Sequence, residues 1–224
     1  MTSAFLAGLR TRAAARPRTI VFPESVDART CDAVAVLARE GIVHPLVVLD
    51  PAHPETHARV RALGVPVVDP ATDSRVARTV DDLVASRGAK GLTVAQAQVF
   101  ARDPLFLADA LVRHGDADGC VAGATHPTAD VIRAALWLVG TAPRVQTVSS
   151  AFYMVVPPFR GGEAEVLTFT DCAVVPMPTP SQLADIALAA AADRRRIVGD
   201  EPRVALLSYS THGSAAGPAV KAIT

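Results

Sequence analysis

The chain has few aromatic residues and no net charge, and each shortage argues against a class of function. Aromatic residues make up 4% of its 224 residues, which argues against a platform on which nucleic-acid bases stack. Lysine plus arginine and aspartate plus glutamate number 22 each, so no net field attracts nucleic acid or an anionic membrane. No uninterrupted apolar run reaches about 18 residues, the length that a membrane-spanning helix needs.

Cysteine and the common catalytic motifs are also scarce. Cys31, Cys120 and Cys172 are far apart and form no CxxC pair, so we expect reduced thiols in a cytoplasmic protein. The chain has no P-loop, no GxGxxG fingerprint and no GxSxG elbow. Its six histidines are scattered, and no pair has metal-ligand spacing with a carboxylate, so we expect no metal site.

Short apolar runs alternate with helical patterns through the first part of the chain. The runs predict strands over residues 19–23, 45–50, 65–69 and 118–123. Helical periodicity covers residues 27–40, 73–86, 94–102, 104–114 and 127–139. This alternation predicts an α/β domain over residues 1–145, with a doubly wound, mostly parallel sheet.

The pattern changes after about Gly140. Two strand-like stretches, 144–157 and 164–176, are joined by PFRGGE and predict an antiparallel hairpin. An alanine-rich helix over 181–197, capped by Ser181 after Pro180, follows, and then a buried strand over 203–207. We therefore expect part of a second α/β subdomain over residues 146–224.

Two polar turns each lie between a predicted strand and a predicted helix. They read GATHPTAD (123–130) and SYSTHGSAAGP (208–218). Backbone N–H groups, hydroxyls and a helix dipole can converge there on a phosphate. Ordinary turns with N-cap residues have the same composition, so spacing alone leaves both interpretations open.

Longer blocks around these turns share the order and spacing of one enzyme family. They read GATHPTADVIRAALWLVGTAPRVQTVSSAFYMVVP (123–157), FTDCAVVPMPTPSQLADIA (169–187) and PRVALLSYSTHGSAAGP (202–218). Over about residues 4–221 the chain resembles the phosphate acetyl/butyryl transferases, and the acetyl branch more than the butyryl branch. It departs from the family pattern at Trp137, where glutamine is usual, and at Gly88 and Ala89, where a basic pair is usual.

The resemblance implies a reversible reaction in which acetyl-CoA and phosphate give CoA and acetyl phosphate. CoA is then a substrate, and no cofactor is expected. The resemblance also implies an architecture like that of isocitrate and isopropylmalate dehydrogenases, a homodimer when the chain is complete, and a functional link to acetate kinase. Neither nucleic acid nor a membrane is an expected partner.

The resemblance also assigns roles to individual residues. Arg133 is implied to be catalytic, since a guanidinium binds phosphate with two hydrogen bonds and stays charged. Arg87 and Lys90 are implied to bind CoA or another substrate. Both arginines could instead be solvated helix charges, and we expect Asp171 to be structural. The candidates for phosphate contacts are Thr128, Ser208, Ser210, Thr211, Gly213 and Ser214.

Family members continue beyond the STHGSA turn with a segment credited with an aspartate base, a serine and an arginine. We therefore expect a C-terminally truncated chain that is poorly soluble and inactive alone. Two alternatives stay open: a phosphate butyryltransferase, and a non-catalytic remnant that binds CoA or acyl phosphate. An oxidoreductase would need metal-binding aspartates, and none are suitably spaced.

Overall fold

The structure is a computed structural model that describes residues 4–143, 145–158, 164–221 and 223. The chain divides into two compact units, which are described separately. The first unit comprises Arg10–Gly140, and the second comprises Thr141–Thr224 together with Met1–Leu9. Among the described residues, no helix is long and apolar enough to cross a membrane.

The first unit contains a four-stranded parallel sheet. Its strand order is β3-β2-β1-β4, and Val21 of β1 pairs with Leu46 on one side and Cys120 on the other. The predicted parallel sheet is confirmed, although β3 and β4 are shorter than the sequence indicates. The strands are β1 (Thr19–Phe22), β2 (His44–Val48), β3 (Val67–Val68) and β4 (Gly119–Cys120).

Helices connect these strands, and three of them begin at a polar side chain that caps the first turn. The Asp27 side chain accepts from the Arg29 N–H at the start of α2, and Thr93 forms a capping box with Gln96 at the start of α5. Short 3₁₀ turns occupy Pro54–Thr56 and Gly88–Lys90. The helices after β1 are α2 (Ala28–Arg39), α3 (His57–Arg61), α4 (Arg75–Arg87), α5 (Val94–Phe100), α6 (Pro104–Arg113) and α7 (Thr128–Leu138). Helix α1 (Ala4–Ala14) precedes β1.

The apolar core lies on both faces of this sheet. Val21 packs into a cluster that includes Leu83 of α4 and Leu107 of α6. The next residue, Phe22, belongs to the opposite cluster, with Val34 of α2. Successive residues of a strand point to opposite faces, so both faces of β1 are apolar and both are covered by helices.

The second unit contains an antiparallel hairpin. Strand β5 (Ala151–Val156) pairs with β6 (Glu165–Thr170), with Ala151 opposite Thr170. The predicted hairpin is confirmed, and residues 159–163 of its PFRGGE connection lie outside the described residues. Helices α8 (Pro180–Ile197) and α9 (Pro218–Lys221) follow.

The N-cap of helix α8 lies two residues before the predicted cap, so the assignment of Ser181 as N-cap was wrong. Thr179 is the N-cap: its backbone is extended, and its hydroxyl accepts from the Gln182 N–H at 3.3 Å. Pro180 occupies the first helical position, where its missing N–H costs no hydrogen bond. Ser181 therefore lies inside the first turn.

The predicted buried strand over 203–207 was also wrong. These residues have no regular secondary structure, and Val204, Leu206 and Leu207 are exposed by 56%, 52% and 80%. A strand needs a neighbour that completes its ladder of hydrogen bonds. No strand in the described part of the chain pairs with this segment, so its local preference for extended structure is not enough.

Candidate active site

Glu24 and the GATHP turn meet at one edge of the parallel sheet. Glu24 follows β1, and the turn (Gly123–Pro127) follows β4, the strand hydrogen-bonded to β1. The carboxyl ends of neighbouring parallel strands reach the same edge, which is where open α/β sheets bind ligands. Residues about a hundred positions apart in the sequence are thereby brought into contact.

The Glu24 carboxylate accepts hydrogen bonds from six donors of the turn. Oε2 accepts from the N–H groups of Gly123 and Ala124, at 2.8 and 2.7 Å. Oε1 accepts from the N–H groups of Thr125 and His126, both at 2.8 Å, from Thr125 Oγ1 at 3.0 Å and from His126 Nδ1 at 2.8 Å. Gly123 has φ +107°, which an L side chain rarely adopts.

This carboxylate is buried and ionised. Its side chain is 2% exposed, and burial by itself raises its pKa. The hydrogen bonds from His126, Thr125 and Ala124 outweigh burial and lower the pKa of Glu24 to about 2. An ionised carboxylate can only accept, so His126 Nδ1 must carry the proton that it shares.

Of the two interpretations left open for the GATHP turn, phosphate binding by its backbone N–H groups is not supported. Four of these groups already bind the internal carboxylate of Glu24. An anion site does exist at this turn, but the chain fills it with its own side chain.

The start of α2 also contacts this turn. The Arg29 guanidinium bonds to Asp27 and donates to the carbonyl oxygen of Ala124 at 3.0 Å. Hydrogen bonds from Arg29 lower the pKa of Asp27 to about 2. A shallow depression of about 250 Å³ lies here, with Phe22 and Ala122 in its lining. A larger one, of about 440 Å³, is lined by residues of 70–81 with Gln98 and Arg102, and no predicted site residue is in its described lining.

Helix α7 carries two of the predicted residues. Thr128 is its first residue and is exposed. The Arg133 side chain is 46% exposed, and its guanidinium bonds to the Asp130 carboxylate at 2.5 Å, one turn earlier. Arg133 thus combines exposure with an acidic partner that a phosphate would have to replace.

Arg87 packs against the same helix. Its Cζ lies 5.2 Å from the ring centroid of Trp137, and its Nη2 is 3.4 Å from the carbonyl oxygen of Leu136. Trp137 lies four residues after Arg133, so both project from one side of α7. Lys90 follows in an exposed 3₁₀ turn. The first unit therefore contains Arg87, Lys90, Thr128 and Arg133.

The remaining predicted residues lie in the second unit, within the SYSTHGSA turn. The Ser210 hydroxyl accepts from the Ala215 N–H at 3.1 Å and donates to the Ala215 carbonyl at 3.0 Å. The Ser208 hydroxyl accepts from the Ser210 N–H at 3.1 Å. Thr211, Gly213 and Ser214 complete the turn, with a bond from the Ser214 N–H to the Thr211 carbonyl. Two of the candidate hydroxyls thus stabilise the turn itself.

Asp171 is structural, as expected from the sequence. It follows β6 and accepts from the N–H and hydroxyl of Ser150, at 2.7 and 2.6 Å. It also accepts from the N–H groups of Val174 and Val175, and these bonds with those from Ser150 outweigh burial and lower its pKa. The carboxylate fixes the backbone after the strand.

Sequence reasoning missed Glu24 and His126. The available signal was a carboxylate directly after a buried strand, at the edge of a parallel sheet that holds ligands. Within the part of the chain that the structure describes, no three His, Cys, Asp or Glu residues are grouped so that they could hold a metal ion.

The parallel α/β sheet is followed at its edge by a helix that carries the exposed Arg133 and packs against Arg87, and guanidinium groups of this kind can bind anionic ligands. The family described as phosphate acetyl/butaryl transferase matches residues 4–224. The chain belongs to this family.

Curated relatives and solved structures agree with this assignment. The phosphate acetyltransferase of Treponema pallidum (strain Nichols) is 37% identical over 94% of this chain and 64% of its own length. That of Paracoccus denitrificans is 40% identical over 93% of this chain and 63% of its own length. A phosphotransacetylase structure from Streptococcus pyogenes has a TM-score of 0.81 at 32% identity, covering 97% of this chain and 66% of its own. The EutD phosphotransacetylase from Staphylococcus aureus has a TM-score of 0.78 at 31% identity, covering 98% and 65%.

The chain spans 62–64% of the length of the first four curated relatives that it matches.

Proposed function

We propose that this protein takes part in phosphate acetyl transfer, in which acetyl-CoA and phosphate give CoA and acetyl phosphate reversibly. The observation that carries the proposal is the family match over residues 4–224, together with curated phosphate acetyltransferases at 35–40% identity. The exposed cation of Arg133 on α7 supports it, because the reaction places negative charge on a phosphoryl group.

In this proposal Arg133 exchanges Asp130 for the phosphoryl group. A guanidinium can bind phosphate with two hydrogen bonds, whereas it now bonds to one carboxylate oxygen in an exposed pair. Arg87 and Lys90 bind CoA, and Thr128 contributes a hydroxyl at the start of α7. The proposed phosphate contacts of the second unit, taken by itself, are Ser208, Ser210, Thr211, Gly213 and Ser214.

We further propose that CoA serves as a substrate and that the reaction uses no resident cofactor or metal. Activity should therefore survive EDTA, and its loss with recovery on adding a divalent metal would overturn this part. The proposed setting is a cytoplasmic homodimer with an architecture like that of isocitrate and isopropylmalate dehydrogenases. Acetate kinase is the proposed neighbouring activity, because its chemistry makes or consumes acetyl phosphate.

Butyryl transfer is the second candidate, because the family description covers both acyl groups. The test uses the 224-residue chain fused to the C-terminal third of a close relative, because the chain alone is expected to be inactive. The fusion is given CoA and either acetyl phosphate or butyryl phosphate, and thioester formation is followed. Faster transfer from acetyl phosphate supports the proposal, and a preference for butyryl phosphate selects the second candidate. A folded fusion that transfers neither group overturns the proposal.

A further inference from the structure

The Glu24–His126 pair has a geometry suited to proton transfer. His126 Nδ1 lies 2.8 Å from Glu24 Oε1, and the Glu24 side chain is 2% exposed. The carboxylate is surrounded by donors and can only accept, so it holds the imidazole as the Nδ1–H tautomer. In the neutral ring, Nε2 then carries the free lone pair.

Nε2 points away from the buried carboxylate. The His126 side chain is 30% exposed, and no residue in the described part of the chain bonds to Nε2. The turn that carries His126 leads directly into α7, the helix of Arg133. A free acceptor nitrogen thus lies next to the helix whose arginine is the proposed phosphate ligand.

The charged side chains next to the Glu24–His126 pair are themselves paired. Arg29 reaches the Ala124 carbonyl oxygen and is paired with Asp27, while Asp130 and Arg133 pair with each other on α7. At the end of β4, burial raises the pKa of the Cys120 thiol, and the charges of Asp109 and Glu24 raise it further. The thiol is neutral, so Glu24 is the buried charge that faces His126.

We propose that His126 is a catalytic residue at the phosphate end of the reaction, and that Glu24 is its positioning residue. This inference rests on the proposed function. Nε2 takes the proton of the P–OH group of hydrogen phosphate as that oxygen attacks the acetyl carbonyl. A C–O bond forms, the C–S bond breaks, and CoA leaves as the thiolate.

The proton then passes from His126 to the thiolate, directly or through water, which gives the CoA thiol and restores the neutral imidazole. In the reverse direction the His126 imidazolium protonates the departing phosphate. Glu24 stabilises the imidazolium without moving, because its carboxylate is already fixed by the turn.

The tautomer is tested first, on the 224-residue chain with ¹⁵N-labelled histidine. A His126→Gln variant identifies the His126 signals among the six histidines, and long-range ¹H–¹⁵N spectra are recorded where the ring is neutral. We expect Nδ1–H with an unprotonated Nε2. A neutral ring with the proton on Nε2 overturns the proposal, and this arm needs no enzymatic activity.

Inorganic phosphate is then titrated into the same sample, with chloride at equal ionic strength as the control. We expect a saturable shift of the His126 Nε2 resonance, while His53, an exposed histidine paired with Glu55, stays unchanged. A parallel titration with CoA alone shows whether the phosphoryl groups of CoA, and not free phosphate, cause the shift. A shift with CoA only, or no shift with phosphate, overturns the proposal.

Kinetics of acetyl-CoA with phosphate, measured on the fusion to the C-terminal third of a close relative, provide the third arm. We expect His126→Gln to lower kcat by about 10²–10⁴-fold with an unchanged KM for acetyl-CoA and an unchanged circular dichroism spectrum. Retained kcat overturns the catalytic role, whether or not the KM for acetyl-CoA rises. If the wild-type fusion transfers no acetyl group, the proposed function fails, and the two NMR arms still decide the placement of His126.

Discussion

The guanidinium of Arg87 stacks on the indole of Trp137, with 5.2 Å between Cζ and the ring centroid. Trp137 also makes edge contacts with Phe100 and Phe106, so the stack anchors the end of α4 to an aromatic cluster around α7. The family resemblance predicts glutamine at position 137, which offers no such surface. Arg87 therefore has a packing partner in this chain that the assigned role in CoA binding does not require.

Arg87→Ala should separate packing from ligand binding. Loss of the cation–π contact should lower the free energy of unfolding by about 0.5–2 kcal/mol and change the fluorescence of Trp137, the single tryptophan of the chain. If Arg87 binds CoA, its KM for CoA should also rise. Urea denaturation measures the change in stability, and steady-state kinetics measure the KM for CoA. An unchanged KM would mean that Arg87 contributes to packing and does not bind CoA.

In a version completed with the C-terminal third of a close relative, Arg133→Ala should abolish most of the activity while the fold survives, because the side chain is exposed. Loss of an electrostatic contact to the transition state costs about 2.7–4 kcal/mol, or 10²–10³-fold in kcat. Arg102→Ala, which removes an exposed arginine elsewhere in the first unit, is the matched control and should have little effect. If the kinetics of Arg133→Ala equal those of the wild type, Arg133 is a solvated helix charge without a catalytic role.

Asp130→Asn should have the opposite effect on phosphate. Asp130 holds the Arg133 guanidinium in an exposed ion pair that a ligand must displace. Such pairs contribute about 0.2–1 kcal/mol, so removing the charge should tighten phosphate binding by up to about fivefold. Isothermal titration calorimetry measures it. Weaker binding in this variant would mean that Asp130 orients Arg133.

Glu24 should make the protein sensitive to acid. Its pKa is lowered from 4.5 to about 2 in the fold, so its stabilising contribution is present above pH 4.5 and is lost as the pH falls toward 2. Glu24→Ala leaves buried donors without an acceptor and should cost about 3 kcal/mol or more at neutral pH. Glu55→Gln, at an exposed carboxylate, is the control. Equal unfolding midpoints for the two variants would contradict the role of Glu24.

Asp109 should change the pH dependence of stability in the opposite direction to Glu24. It is buried in α6 with Oδ2 unbonded, and burial raises its pKa from 3.8 to about 6 despite a hydrogen bond from Cys120. The folded protein holds the Asp109 proton more tightly than the unfolded chain does. The free energy of unfolding should therefore fall as the pH rises from about 4 to 6. Asp109→Asn should therefore stabilise the protein by about 2–3 kcal/mol at pH 7.5. Denaturation curves across this range, with exposed Asp81→Asn as control, check it, and a less stable Asp109→Asn would refute it.

Much of the fold could be predicted because its signals are local. The alternation of Val21 and Phe22 between two core clusters follows from the two-residue period of a strand. The hairpin of β5 and β6 was predicted from two strand-like stretches and a short connection. The cap of α8 was misplaced because Thr179 and Ser181 are chemically similar caps. Pro180 decides between them, because proline favours the first helical position and the residue before it is then the N-cap.

The sequence by itself determined the family and the alternation of strands and helices in the first unit, because periodicity and motif order are properties of neighbouring residues. Only the tertiary structure decided what the GATHP turn binds. Glu24 and His126 are 102 positions apart, and they meet because β1 and β4 are adjacent in the sheet. The same dependence on a neighbour explains residues 203–207. Their apolar run favours a strand, but without a pairing strand among the described residues they stay irregular.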